Sequence, residues 1–100
     1  MLEKVIEKRL HDGIKKLGCK ALCLKWTSPG FNGVPDRIIL LPGAKVVFAE
    51  TKKPGEKERK RQEYVQGLMK DLGFEVYSTV DDPAYVDRII ERCKELSELA

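Results

Sequence analysis

The 100-residue sequence predicts one α/β domain with the element order αβββαβα, a mixed sheet flanked by helices. Three observations predict it. Apolar residues recur every three or four positions in three separate segments, as on the buried face of a helix. Four shorter segments are apolar on successive or alternate positions, and three of them carry Val, Ile, Phe or Tyr, as strands do. Clusters of Gly, Pro, Asn and Ser stand between the two kinds of segment. The length suits a single hydrophobic core, and no repeat, low-complexity tract or composition break divides residues 1–100.

The first helix runs from Leu2 to Leu17. Leu2, Ile6, Leu10, Ile14 and Leu17 form its apolar face, Glu3 and Glu7 flank that face, and Gly18 ends it. "CKALCLKW" follows as a short strand with Cys19 and Cys23 on one side, and "TSPGFNGVP" is a loop dense in turn formers. Two strands, Asp36 to Leu41 and Lys45 to Thr51, surround Pro42-Gly43, where Pro suits an early turn position and Gly a positive φ. Both are apolar on successive residues, which predicts that both faces of this hairpin are covered.

"KKPGEKERK" is a charged connection into a second helix, Glu58 to Leu72, with Val65, Leu68, Met69 and Leu72 inward and Gly73 as its stop. "FEVYSTV" is the fourth strand. Asp82 caps a third helix that has Pro83 at its first position and Val86, Ile89, Ile90, Cys93 and Leu96 on its buried face.

Composition narrows the function classes. No apolar run approaches the roughly 18 residues of a membrane span. The opening "MLEKVIEKRLHDG" is charged and helical in pattern, unlike a secretory signal, so a soluble cytoplasmic protein is expected. The three cysteines and the single His11 make no zinc spacing, and free buried thiols in a reducing compartment are the expectation. The net charge of +3 is unevenly spread. Residues 1–61 hold 15 Lys and Arg against 7 acids, and residues 62–100 hold 4 against 9. A basic half fits a polyphosphate partner such as DNA, and equally a solvated lysine-rich surface.

The open end of the predicted hairpin carries the chemistry. Symmetric pairing about Gly43 makes facing residue numbers sum to 86, which sets Asp36 opposite Glu50; a tight type II turn would shift this by one. Directly opposed carboxylates have Cβ atoms about 4.5 to 5.5 Å apart and repel, so a cation is expected between them. Glu50 and Lys52, two apart on one strand, leave the same face. Convergent carboxylates suit a hard divalent ion, and a neighbouring lysine suits proton handling in metal-assisted attack of water on a phosphodiester. The spacing alone fits equally well an ordinary ion pair of Glu50 with Lys52 or Arg37.

Gln62 lies three residues before Val65 on the inward stripe of the second helix, where a polar side chain needs a partner. Lys53, Lys57 and Lys60, with Arg59 and Arg61, crowd the connection after the Glu-Thr-Lys and suit phosphate contacts that carry no sequence information. Lys25 ends the first strand and suits a phosphate contact. Trp26 is expected in the core or against a second subunit. Phe31, within the following loop, suits either base stacking or core closure.

Taken together, "IEKRL" in the first helix, Lys25 and Ser28 in "CLKWTSPGFNG", "GVPDR", "ETK" and Gln62 in "RQEYVQGLMKDLGFEVY" resemble the VRR-NUC family of virus-type replication and repair nucleases. That family lies in the PD-(D/E)xK superfamily, with a restriction-endonuclease-like fold. The similarity covers nearly the whole chain, and the combination is specific although no single motif is. It implies that Asp36 and Glu50 bind the metal, Mg²⁺ or Mn²⁺, with the Thr51 carbonyl as a further ligand. It also implies that Glu7 completes the site, directly or through water, that Lys52 is the catalytic lysine, that Gln62 lies near the same site, and that Lys25 and Ser28 contact DNA. The choice of Glu7 over Glu3 rests on the resemblance.

The chain is most similar to the stand-alone phage and bacterial members. They look like homodimers that make paired cuts in four-way (Holliday) junctions, leaving 5′-phosphate and 3′-hydroxyl ends. Junction cutting is therefore the specific expectation. A flap or branch nuclease, or a DNA-binding module of the same fold without turnover, are the alternatives.

Overall fold

The computed structural model describes residues 2–99. The element order is the expected one: α1 (Glu3–Lys15), β1 (Leu22–Lys25), β2 (Arg37–Leu41), β3 (Lys45–Thr51), α2 (Lys60–Asp71), β4 (Glu75–Val80) and α3 (Pro83–Glu98). The strands lie in chain order in one sheet. β1–β2 and β2–β3 are antiparallel and β3–β4 is parallel, so the sheet is mixed and α2 makes the crossover that a parallel pair requires.

The core lies between one face of the sheet and the pair α1 and α3. Ile6, Leu10 and Ile14 of α1 meet Val86, Ile89 and Cys93 of α3 over Ile39, Val47 and Ala49, all fully buried. The two helices touch where α1 has no side chain. A Cβ on Gly13 would run into Ile90, so glycine here sets the approach of α1 to α3. Asp82 caps α3 as expected, its Oδ1 accepting from the Tyr85 N–H at 2.9 Å, with Pro83 in the first turn.

The hairpin register matches the expectation. Arg37 pairs with Ala49, Ile39 with Val47 and Leu41 with Lys45, so the numbers sum to 86 and the ladder leads to Asp36 and Glu50 side by side. At the other end Gly43 takes φ 78° and Ala44 also enters the left-handed region, at φ 59°. Across β3–β4 the register changes between Ala49–Tyr77 and Thr51–Val80, which leaves an additional residue on β4. Thr79 takes φ 52° at this bulge, an uncommon conformation for a β-branched residue.

Several elements differ from expectation. β1 is only Leu22–Lys25, so Cys19 is not on it. Residues 16–20 turn, Gly18 at φ 76°, and the Cys19 Sγ lies 3.7 Å from the Ser97 Oγ. All three cysteines are free, and burial pushes Cys93 up to about 12 and Cys23 up to about 11, which keeps them protonated. α2 begins at Lys60 rather than Glu58, because the Glu58 side chain is bonded to β4 instead of entering the helix. The α2 stripe is also not fully inward: Val65 and Gln66 are buried, whereas Leu68 and Leu72 are exposed.

Cover on the second face of the hairpin is partial. α2 packs toward β4, and Phe48 meets Trp26 at a tilt and Phe74 edge-on, with ring centroids 5.4 and 5.6 Å away. Leu22 and Leu24 on the outer face of β1 are exposed, and their β2 partners Leu40 and Ile38 are half-buried. Among the described residues no helix is long and apolar enough to cross a membrane.

Candidate active site

The polar residues Arg37, Glu50, Thr51 and Lys52 are all buried at the open end of the hairpin, at 8, 4, 2 and 7% exposure. A protein this small does not bury four such side chains without pairing them, and the pairing is nearly complete. Asp36 is held on both oxygens by Thr51: the Thr51 N–H donates to Oδ1 at 2.8 Å and the hydroxyl to Oδ2 at 2.5 Å. The Asp36 N–H in turn donates to Glu50 Oε1 at 3.0 Å. The two carboxylates are thus cross-tied by backbone groups, which fixes them next to one another despite like charge.

Lys52 stands on the other side of Glu50. Its ammonium donates to Gln62 Oε1 at 3.0 Å and lies 3.8 Å from Glu50 Oε2 and 3.9 Å from carboxylate oxygens of Glu56 and Glu58. Gln62 completes a triangle, its Nε2 donating to Glu50 Oε2 at 3.1 Å while Oε1 also accepts the Arg59 N–H at 2.9 Å. One glutamine therefore closes the first turn of α2 and fixes both the acid and the amine, which explains its place on the inward stripe.

Helix α1 brings two further acids. One oxygen from each of Glu3, Glu7 and Asp36 lies within 4.8 Å of the others. Arg37 spans this group: its guanidinium is 3.1 Å from Glu7 Oε2, donates to the Asp36 carbonyl at 3.2 Å and lies 3.9 Å from Asp36 Oδ2. Even so the site is over-supplied with negative charge. Burial, with the charge of Asp36 next, pushes Glu50 up to about 8, and burial with Glu7 raises Glu3. A carboxyl such as Glu50, which holds a proton because it is buried beside another acid, is suited to exchange that proton for a divalent cation, and an all-oxygen donor set fits a hard one.

The expected residues are thus divided. Asp36, Glu50, Thr51, Lys52, Gln62 and Glu7 converge on this end of the sheet. Lys25 is exposed beside it, lining a groove with Lys4, Glu7, Lys8 and Arg37. Lys53, Lys57 and Lys60 are exposed, and among the described residues none forms an ion pair. Ser28 is half-buried, and its carbonyl closes a turn by accepting the Phe31 N–H at 3.2 Å.

Three participants were not singled out from the sequence. Arg37 reads as the end of a strand, and only the fold sets it against Glu7. Glu3 borders the same stripe as Glu7. Glu58 sits in a charged run, yet its Oε1 accepts the Thr79 N–H and hydroxyl at 2.8 and 3.2 Å, which holds the bulge of β4. Its buried Oε2 has no hydrogen-bond partner, and Lys52 Nζ lies 3.9 Å away.

No family model matches the chain. Over 74 residues it is 40% identical to "Putative nuclease p44" of Acyrthosiphon pisum secondary endosymbiont phage 1, which is 74% of this chain and 77% of that protein. A solved structure described as "VRR_NUC domain" is similar over 89% of this chain and 94% of its own, with a TM-score of 0.78 and 26% identity. With the mixed four-stranded sheet and the Asp36, Glu50, Lys52 and Gln62 cluster in hand, these similarities decide the family: the chain belongs to the VRR-NUC nucleases.

Proposed function

We propose that the chain is a Mg²⁺- or Mn²⁺-dependent endonuclease that cuts branched DNA, four-way junctions in particular, as a homodimer. The observation that carries the catalytic part is the joining of Asp36, Glu50, Lys52 and Gln62 into one hydrogen-bonded unit with Glu7 and Glu3 beside it. Asp36, Glu50, Glu7 and the Thr51 carbonyl would hold the ion. Bound there, a divalent ion supplies polarisation of the scissile phosphate and neutralises charge that develops on it.

The side chains have separable tasks. Thr51 orients Asp36 by occupying one lone pair on each oxygen. Gln62 holds the Lys52 ammonium against the acids, so its amine is aimed rather than free, and a positioned amine can take up or deliver a proton during attack on phosphorus. Lys25 lines the groove beside Glu7, and Lys53, Lys57 and Lys60 project from the connection into α2. Such lysines neutralise phosphates and set the register of the strand without reading bases.

Support for a homodimer comes from the second face of the sheet, where Leu22 and Leu24 are 56 and 42% exposed on an edge strand. A second copy would cover that face and bring two active sites into one assembly by two-fold symmetry.

The test is cleavage of an end-labelled four-way junction with and without Mg²⁺, beside sedimentation of the free protein. Paired symmetric nicks from a dimer are expected. Junctions left intact at high enzyme concentration would leave only a DNA-binding module, and single nicks from a monomer would remove the resolving role.

A further inference from the structure

Beside the active site the chain builds a feature that metal-dependent hydrolysis does not need. The guanidinium of Arg61 lies over two aromatic rings, 4.9 Å from the centroid of Phe31 and 5.6 Å from that of Tyr64. All three residues are exposed, Phe31 at 47% and Tyr64 at 58%. The stack is held in place from within. Arg61 Nε donates to the Asn32 carbonyl at 3.0 Å, which ties the guanidinium to the loop that carries Phe31.

That loop reaches α2 only because residue 33 is glycine. Gly33 takes φ 98°, and a Cβ there would meet the Arg61 carbonyl at 2.9 Å and Val65 Cγ2 at 3.0 Å. Phe31 itself is set by a turn in which its N–H donates to the Ser28 carbonyl at 3.2 Å. The turn that carries Phe31 and the Arg61 guanidinium are therefore tied together without a ligand.

The location ties the stack to the chemistry. Arg61 immediately precedes Gln62, the residue that bonds both Glu50 and Lys52, and Gly33 is three residues before Asp36. A cavity lined by Asn32, Gly33, Arg59, Arg61 and Gln62 opens at this point. It offers the Arg59 and Arg61 guanidinium groups, the Asn32 and Gln62 amides and main-chain groups, and Arg61 joins it to the Phe31 and Tyr64 rings.

On this basis we propose that Phe31, Arg61 and Tyr64 form a stacking platform for one unstacked nucleobase, a base with one face free, of the DNA strand beside the cut. The inference rests on the nuclease reading and names what selects the substrate. Inside a duplex both faces of a base are covered by its neighbours. A base at a branch point, gap or single-stranded extension has a free face, and aromatic rings and guanidinium planes stack on such faces whatever the base. Positive charge at Arg59 and Arg61 complements the adjoining phosphates. The platform thus favours branched or interrupted DNA over continuous duplex through contact with a base and with no sequence preference.

The test uses the full chain carrying Lys52→Ala, expected to slow cutting enough for binding to be read, in Mg²⁺ buffer. The probe is a duplex with a single-stranded extension, bearing the fluorescent base 2-aminopurine at successive positions from the branch. A fully paired duplex of the same length is the control, and anisotropy of an end label reports binding. Quenching of 2-aminopurine at one or two positions next to the branch is expected. Phe31→Ala and Tyr64→Ala should each remove it and weaken binding to the branched probe about tenfold, leaving the duplex affinity unchanged. Tyr64→Phe should retain both.

Binding with no quenching at any position, or equal losses on branched and continuous DNA, would overturn the platform while leaving nuclease activity standing. Failure to bind either probe, with no cleavage by the native chain, would overturn both.

Discussion

The β2–β3 hairpin has two ends built on one ladder, and they are opposites. Toward the turn, Leu41 faces Lys45 and the adjoining Ile39 and Val47 are fully buried under α1 and α3, so the strands are held by packing. Toward the open end the same register sets Asp36 beside Glu50, and packing gives way to a network of charged and polar side chains from five segments of the chain. The difference teaches that the rigidity of the apolar half is what permits the polar half. Two carboxylates stay adjacent because the backbone that carries them is fixed a few residues away.

The comparison breaks most clearly if the two ends respond alike to substitution. If Lys52 handles the proton as proposed, Lys52→Ala is expected to lower cleavage by about 10²- to 10⁴-fold while the chain stays folded, with any stability loss coming from the buried acids it leaves uncompensated and none from a core contact. Ile39→Ala, at 0% exposure, is expected to cost about 2–5 kcal/mol of stability in denaturant titration and to leave catalytic geometry intact in the molecules that remain folded. A Lys52→Ala protein that unfolds, or an Ile39→Ala protein with native stability, would erase the distinction.

Acidity sharpens it. The Glu50 carboxyl, ordinarily near 4.5, is pushed up to about 8 by burial and by Asp36. A carboxyl whose folded value exceeds its unfolded value contributes stability that is full below the unfolded value and lost as pH rises through the folded one. Melting temperature of the metal-free protein should therefore fall between pH 4.5 and about 8, and Glu50→Gln should flatten that fall. An unchanged slope in Glu50→Gln would assign it to other groups.

Smaller effects belong to the apolar half and its rim. Gly13→Ala should destabilise by about 1–3 kcal/mol through overpacking against Ile90, measured by denaturant midpoint. Asp87→Ala removes a bidentate pair with Arg9, both contacts at 2.9 Å and both residues exposed, and should shift the melting temperature slightly at low salt and not at high salt.

Much of the site was legible because its spacing is local to one hairpin. Strand alternation and pairing about Gly43 bring Asp36, Glu50 and Lys52 to one end, and an inward helical stripe marks Gln62 as a polar residue needing a partner. This spacing fits an ion pair equally well, and their expected roles come from the family resemblance. Arg37 and Glu58 were not legible, since their roles arise from contacts with α1 and with the bulge at Thr79, which no periodicity encodes. The early start expected for α2 failed for the same reason: Glu58 is a good helix former whose side chain is engaged elsewhere. Full cover of the hairpin was expected from apolar runs alone. The structure shows α2 reaching β4 but leaving Leu22 and Leu24 in solvent, and a sequence pattern does not say which layer supplies the cover.

The claim on which the rest depends is that the acids at the open end form a cation site. Calorimetric titration of the metal-free protein with Mn²⁺, at about pH 6 and about pH 8.5, tests it most directly. Uptake is expected at both, tighter at the higher pH and accompanied by proton release at the lower, and lost in Asp36→Asn. No uptake at either pH, or uptake that survives Asp36→Asn unchanged, would contradict it.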